Sequence, residues 1–178
     1  MTQKSTSKGR IDRNGKTEEE FLRLYDSGKY PKPSLTADIC IFQNNAVLLI
    51  ERGGHPYLGC WALPGGFANA NEPLEKTAQR ELLEETGLSL QDLHLAGIFS
   101  KPGRDPRGWT VSAAYWADVT GCTMRPKAAD DAASLGWFTI QSTSPLLLQK
   151  DQEVLHEEDL AFDHADILKK AIAQRSAR

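Results

Sequence analysis

Apolar residues change their period several times along this chain, and each change marks an element. TADICIF and AVLLIER are short runs rich in branched apolar residues, joined only by QNN, which predicts two strands and a tight turn. The GHPYLGCWALPGG that follows is loop-like, with one short extended piece. From about Asn71 or Glu72 the spacing becomes helical. Pro73 suits a first turn, Leu74, Ala78 and Leu82 share one stripe, and Gly87 suits the left-handed residue that ends a helix. LHLAGIFS, TVSAAYWADV and LGWFTI predict three further strands, separated by the turn-rich KPGRDPRG and by TGCTMRPKAADDAAS. A last helix is predicted across LAFDHADILKKAIAQ, where Ala165, Leu168, Ala171 and Ile172 keep helical spacing. Many strands and few helices predict an α+β domain. Trp61, Trp116 and Trp137 lie within or beside predicted strands and are expected in the core.

Residues 1–31 lack this patterning. They are polar and charged apart from a short amphipathic turn in TEEEFLRLYDSGKY, and are expected to form an arm, mobile or exchanged between subunits, ahead of one domain over residues 32–175. A chain of 178 residues has room for one core of ordinary size. A net charge of −3 gives no footprint for nucleic acid, so partners must be argued from a site. Cys40, Cys60 and Cys122 are widely spaced and form no CxxC, which suits reduced thiols in a cytoplasmic protein. The polar MTQKSTSKGR and the lack of a long apolar run predict neither a signal peptide nor a membrane anchor.

The helix contains an electrostatic oddity. In QRELLEETGL, Glu81, Glu84 and Glu85 crowd neighbouring positions, and each like-charge pair costs roughly 0.2–0.5 kcal/mol on an isolated helix. They also sit near the negative end of the helix dipole. Thr77, Glu81 and Glu85 form the row beside the apolar stripe, so these carboxylates are expected to face a cleft, with Arg80 and Leu83 pointing well away. No Lys or Arg lies four residues from Glu81 or Glu85. A divalent cation would neutralise the cluster, and hard oxygen donors suit Mg²⁺ or Mn²⁺. Three glutamates alone fit a solvated helix end at least as well; the surrounding residues decide between the two.

In GGFANANEPLEKTAQRELLEETGL, Gly66, Glu72, Arg80, Glu81, Leu82, Glu84, Glu85, Gly87 and Leu88 match every fixed position of GX5EX7REUXEEXGU, with U aliphatic. This resembles the Nudix box. The resemblance implies an α/β/α sandwich with a mixed sheet, a loop–helix–loop metal site, and Mg²⁺-assisted hydrolysis of a nucleoside diphosphate linked to another group. It implies that Glu81, Glu85 and the Gly65 carbonyl bind metal, that Glu84 completes the acidic set, and that Glu72 and Arg80 form a structural ion pair. Glu84 is also the candidate base inside the box, with Asp130 and Asp131 as alternatives on a distant loop.

Residues outside the box bear on the substrate. Pro102 lies fifteen residues past Gly87, and with RDPRG before an aromatic strand, YPKPSLTADICIF and LAFDHADIL it resembles the ADP-ribose pyrophosphatase branch. Trp109 stands where that branch often has histidine. Arg52, Arg104 and Arg107 offer forked donors for phosphate, although an arginine in a DPR turn could equally pin its loop through Asp105. Trp109 could stack on a base or pack at a strand edge. His55, His94, His156 and His164 show no metal spacing and receive no role. The resemblance thus implies hydrolysis of ADP-ribose to AMP and ribose 5-phosphate, by a homodimer. The alternatives are another substrate (NADH, a dinucleoside polyphosphate or an oxidised nucleotide) or a non-catalytic ADP-ribose sensor. Such sensors append a winged helix, for which the residues after LGWF leave little room, and half of a fused nucleotidylyltransferase would need a second domain.

Overall fold

The structure is a computed structural model that describes residues 9–122, 126–127 and 132–177. It divides into two units, Met1–Lys32 and Pro33–Arg178. In the first, helix α1 (Glu18–Leu24) starts with a reciprocal capping box. The Thr17 hydroxyl accepts from the Glu20 N–H, and the Glu20 carboxylate accepts from the Thr17 N–H.

The second unit is built around one mixed sheet. Its strands among the described residues are β1 (Ser34–Gln43), β2 (Ala46–Arg52), β3 (Trp61–Ala62), β4 (Gly65–Phe67), β5 (His94–Phe99), β6 (Thr110–Asp118), β7 (Ala132–Thr143), β8 (Leu146–Lys150) and β9 (Glu153–Leu155). They run in the order β5-β6-β1-β2-β7-β8-β9, with β3 paired to β2 and β4 to β1. Only β1 and β6 are parallel. The β1–β2 hairpin turns at Asn44, whose φ of 52° is a conformation asparagine tolerates. Pairing of β1 with β2 stops at Phe42–Val47, and the two strands then diverge. The β3–β4 segment fills that fork, with Ala62 opposite Ile50 on β2 and Gly66 opposite Ala37 on β1.

Alternation along β1 and β2 supplies both faces of the sheet. Ala37, Ile39, Ile41 and Leu48 pack with Ala78 and Leu82 of helix α2 (Leu74–Thr86). Cys40, Phe42, Val47 and Leu49 pack with Ala165, Ile167, Leu168 and Ala171 of helix α3 (His164–Ser176). Helices on both faces make the expected α/β/α sandwich. Trp61 and Trp116 are buried and Trp137 is partly so. Strands β8 and β9 lie where the sequence analysis placed nothing. Their buried residues, Leu146, Leu148 and Leu155, alternate correctly, but the strands are short and turn at Asp151 (φ 53°) amid polar residues.

Phe138 on β7 is fully buried, with its ring centroid 4.6 Å from that of Trp61. Phe138→Ala is expected to destabilise the domain by about 3–5 kcal/mol, through lost burial plus the cavity left behind. Urea unfolding at neutral pH measures this, and a loss below about 1 kcal/mol would show that the two core layers can collapse around the gap.

Candidate active site

The fork between β1 and β2 opens as a cleft of about 670 Å³, with Gly65, Gly66 and Phe67 of β4 forming its floor. Glu81 and Glu85 of α2 line one side, and Ile50, Arg52 and Arg107 also line it, as do Gly53, Gly54 and His55 just beyond β2. Local structure explains how the box residues reach this place. Glu72 accepts from the Asn69 N–H at 3.0 Å and from the Thr77 hydroxyl at 2.9 Å, closing the loop onto the first turn of α2. Gly87 (φ 70°) ends the helix by donating to the Leu83 carbonyl at 2.9 Å. Between these ends, the packing row carries Glu81 and Glu85 under the sheet.

Glu85 is 9% exposed and its Oε2 accepts from the Gly65 N–H at 2.9 Å. Burial pushes its carboxyl up to about 8, only partly offset by that hydrogen bond. Burial also raises Glu81, against the pull of Arg80. A Cβ on Gly66 would lie 2.4 Å from the Glu81 carboxyl carbon, so this glycine lets backbone and carboxylate approach closely.

Arg80 overturns one expectation. Rather than pointing away from the acids, its guanidinium is clasped by Glu72 (3.1 and 3.0 Å) and reaches Glu81 at 2.6 Å and Glu84 at 2.9 Å. It also donates to the Phe67 carbonyl at 2.9 Å. The implied Glu72–Arg80 pair is therefore present, and it holds the Glu72 carboxyl down to about 2. A long side chain can double back over its own helix, which a helical wheel does not show.

Glu84 is not gathered with Glu81 and Glu85. It does not line the cleft, its side chain is 43% exposed, and Arg80 holds it. Among the described residues, no three His, Cys, Asp or Glu side chains are grouped to hold an ion. The structure thus brings Glu81 and Glu85 to the cleft beside the Gly65–Gly66 backbone, Glu85 buried and Glu81 partly so, and leaves Glu84 outside it. Those donors fit a hard divalent cation. They are anionic oxygens whose proton affinity is raised by burial, and a side chain at Gly66 would displace the Glu81 carboxylate. Asp130 and Asp131 lie outside the described residues.

The substrate-side residues separate. Arg52 lines the cleft, donates to the Pro56 carbonyl at 2.8 Å and lies over the Phe162 ring at 5.1 Å. Arg104 is 8% exposed and engaged by Asp163 at 2.9 and 2.6 Å and by Asp38 at 3.5 Å, so its fork is filled by carboxylates. Arg107 is paired with Asp105 at 2.8 Å, yet lines the cleft with a 40% exposed side chain over the rings of Phe67 (4.6 Å) and Phe162 (5.3 Å). The loop is therefore pinned by both arginines, and the one facing the cleft is Arg107. Trp109 is 56% exposed and does not line the cleft. Phe67 and Phe162 were missed. Phe162 adopts φ 55°, a conformation no sequence pattern announces for phenylalanine.

A Nudix domain model matches residues 32–158, and the chain belongs to the Nudix family; by class it is a Nudix pyrophosphohydrolase. Such hydrolases generally use divalent metal ions. An ADP-ribose pyrophosphatase of Methanocaldococcus jannaschii is 38% identical over 140 residues, covering 79% of this chain and 73% of the relative. An ADPR responsive transcriptional repressor, NtrR of Acinetobacter baylyi, is 34% identical over 167 residues. That match covers 90% of this chain but only 62% of the repressor. Among solved structures, the Nudix domain of Shewanella oneidensis NrtR complexed with ADP ribose superposes with a TM-score of 0.73 at 28% identity, covering 90% of this chain and 99% of that one. No helix among the described residues is long and apolar enough to cross a membrane.

The raised Glu85 carboxyl carries a pH signature. Its folded value lies above the unfolded one, so the folded state binds the proton more tightly and stability falls as pH rises from about 4.5 to about 8. Glu85→Gln keeps an acceptor for Gly65 and removes the charge. In chelator, this variant is expected to gain on the parent across that window, by roughly 2–4 kcal/mol at its upper end. Urea unfolding at pH 5 and pH 8 checks the sign; a pH-independent difference would contradict it.

Proposed function

We propose that the chain hydrolyses ADP-ribose to AMP and ribose 5-phosphate, with Mg²⁺ as the working cation and Mn²⁺ as a substitute. One observation carries this reading: the buried Glu85, the partly buried Glu81 and the guanidinium groups of Arg52, Arg80 and Arg107 line a single cleft. The residues that would hold the metal are Glu81, Glu85 and the Gly65 carbonyl. Once bound, the cation would neutralise diphosphate charge and acidify a water molecule.

The chain's own groups account for the rest. Arg52 and Arg107 place planar guanidinium donors suited to a diphosphate in the same cleft as the acids. The exposed face of Phe67, 42% exposed, offers a flat apolar surface beside Arg107. Arg80 ties the Phe67 carbonyl to α2, fixing the cleft floor against the helix that bears the acids. Glu84, at the rim and held by Arg80, remains the carboxylate in the box that could take a proton from water. The relative named as an ADP-ribose pyrophosphatase and the ADP-ribose-bound neighbour support this substrate over other diphosphates.

The likeness to the repressor favours one other reading, a sensor that binds ADP-ribose without turning it over. Chromatography of products from ADP-ribose, NADH, a dinucleoside polyphosphate and an oxidised nucleotide, with Mg²⁺ or chelator, separates the two. AMP released from ADP-ribose only with the cation is expected, and Glu81→Gln should lower kcat about a hundredfold or more, the scale of several kcal/mol of lost charge stabilisation. Binding of ADP-ribose with no turnover of any compound would establish the sensor instead.

A further inference from the structure

Behind the Gly65 backbone lies a buried polar group that the proposed reaction leaves unused. Asp38 interrupts the apolar run of β1 and is 6% exposed. Its Oδ2 accepts from the Ser112 hydroxyl at 2.5 Å and lies 3.5 Å from Arg104 Nη2. Its Oδ1 lies 3.5 Å from Nε2 of His164, the first residue of α3 and itself 4% exposed. His164 Nδ1 accepts from the Leu63 N–H at 2.9 Å, which leaves Nε2 to carry the ring proton toward Asp38. Burial pushes the Asp38 carboxyl up, but the pull of His164, the Ser112 hydroxyl and Arg104 outweighs it and leaves the group below its ordinary value.

A buried carboxylate is costly unless its partners are fixed, and a fixed partner fixes what it touches in turn. Several contacts here converge on the short run that becomes the cleft floor. His164 holds the Leu63 N–H, the Ile39 N–H holds the Pro64 carbonyl at 2.9 Å, and Asp38 stands in register with Gly65. Asp38 also lies so close that a Cβ on Gly65 would come within 2.8 Å of its Oδ1. On the other side, the Gly65 N–H meets Glu85. Arg104 then links Asp38 to Asp163, the residue before α3, and stands in the loop that carries Arg107.

We propose that Asp38 and His164 are positioning residues that set the Gly65 backbone for a divalent cation, and that Arg104 fastens this pair to the Arg107 loop. The inference rests on the metal-dependent reading above and goes beyond it by assigning the buried pair behind the cleft floor.

The test is Mn²⁺ binding to the substrate-free full chain, followed by electron paramagnetic resonance, beside steady-state kinetics with ADP-ribose. His164→Ala is expected to weaken Mn²⁺ about tenfold or more and to lower kcat, with KM moving less than about threefold, as for other partners that orient a ligand. His164→Asn, whose carboxamide oxygen can still accept from Leu63, is expected to recover Mn²⁺ affinity to within about threefold of the parent. Parent-like affinity in His164→Ala, or His164→Asn binding no better than His164→Ala, overturns the proposal. So does a rise in KM with Mn²⁺ affinity unchanged, which would put the pair on the substrate side. If His164→Ala does not fold, Ser112→Ala frees one Asp38 oxygen and should still weaken Mn²⁺ by about threefold; unchanged affinity there also overturns it. A parent chain that binds no Mn²⁺ would instead sink the metal-dependent reading itself.

Discussion

Two carboxylates held in a drying environment against one stretch of backbone are the constraint on which the rest of this domain turns. Glu81 and Glu85 continue the packing row of α2, so the helix cannot dock on the sheet without carrying them partly out of water. The sheet makes room by splitting. β1 and β2 pair only near their hairpin, and the β3–β4 segment enters the fork with Gly65 and Gly66 at the point of closest approach. A larger residue at Gly66 would meet the Glu81 carboxylate, and at Gly65 the Ala37 carbonyl and Asp38. The position of the cleft therefore follows from sheet topology, and its acidity from helix periodicity.

Arginines on this domain have sharply different duties, decided by what surrounds each guanidinium. Arg80 has three carboxylates and a carbonyl within reach and braces the loop against the helix at the rim. Arg104, three residues before Arg107 in one loop, is buried against Asp163 and Asp38 and joins β1 to the start of α3. Arg107 pairs with Asp105 but keeps much of its side chain exposed over two rings. A buried guanidinium without carboxylates would be very costly, so the acids at 38 and 163 are what allow Arg104 to lie under the cleft.

The strands and helices were legible because each rests on local periodicity, whereas the sandwich was implied by the family resemblance that the box residues carry. The hairpin, the helix bearing Glu81 and Glu85, its Gly87 terminus and the last helix all follow from spacing within a few turns. What stayed hidden depends on contacts between distant segments. Asp38 reads as a polar residue in a strand until Ser112, Arg104 and His164 are brought around it. His164 reads as a surface or structural histidine without a role until Leu63 reaches its ring. Arg80 was misjudged because backbone geometry gives the direction of a Cβ and says little about the end of a long side chain. The junction position of Trp109 left stacking and edge packing equally open, and Phe67 and Phe162 are the rings beside the cleft arginines. The hairpin of β8 and β9 escaped because strands of five and three residues leave too few positions to show a period.

The two walls of the cleft also separate binding from turnover. Arg52, Arg107 and Phe67 line the cleft from three separate segments, and Phe162 packs against both guanidinium groups, with Tyr57 set edge-on against it at 4.7 Å. Rings over guanidinium planes fix their orientation, which suits recognition of a diphosphate and its flat substituents. That wall would be sufficient for a sensor. Drawing Glu81 and Glu85 out of water is a cost that recognition alone does not require, because ionised Glu85 opposes folding until a cation or proton neutralises it. A fold that bears this cost, and devotes two glycines and an arginine clasp to it, is arranged for hydrolysis rather than for capture alone.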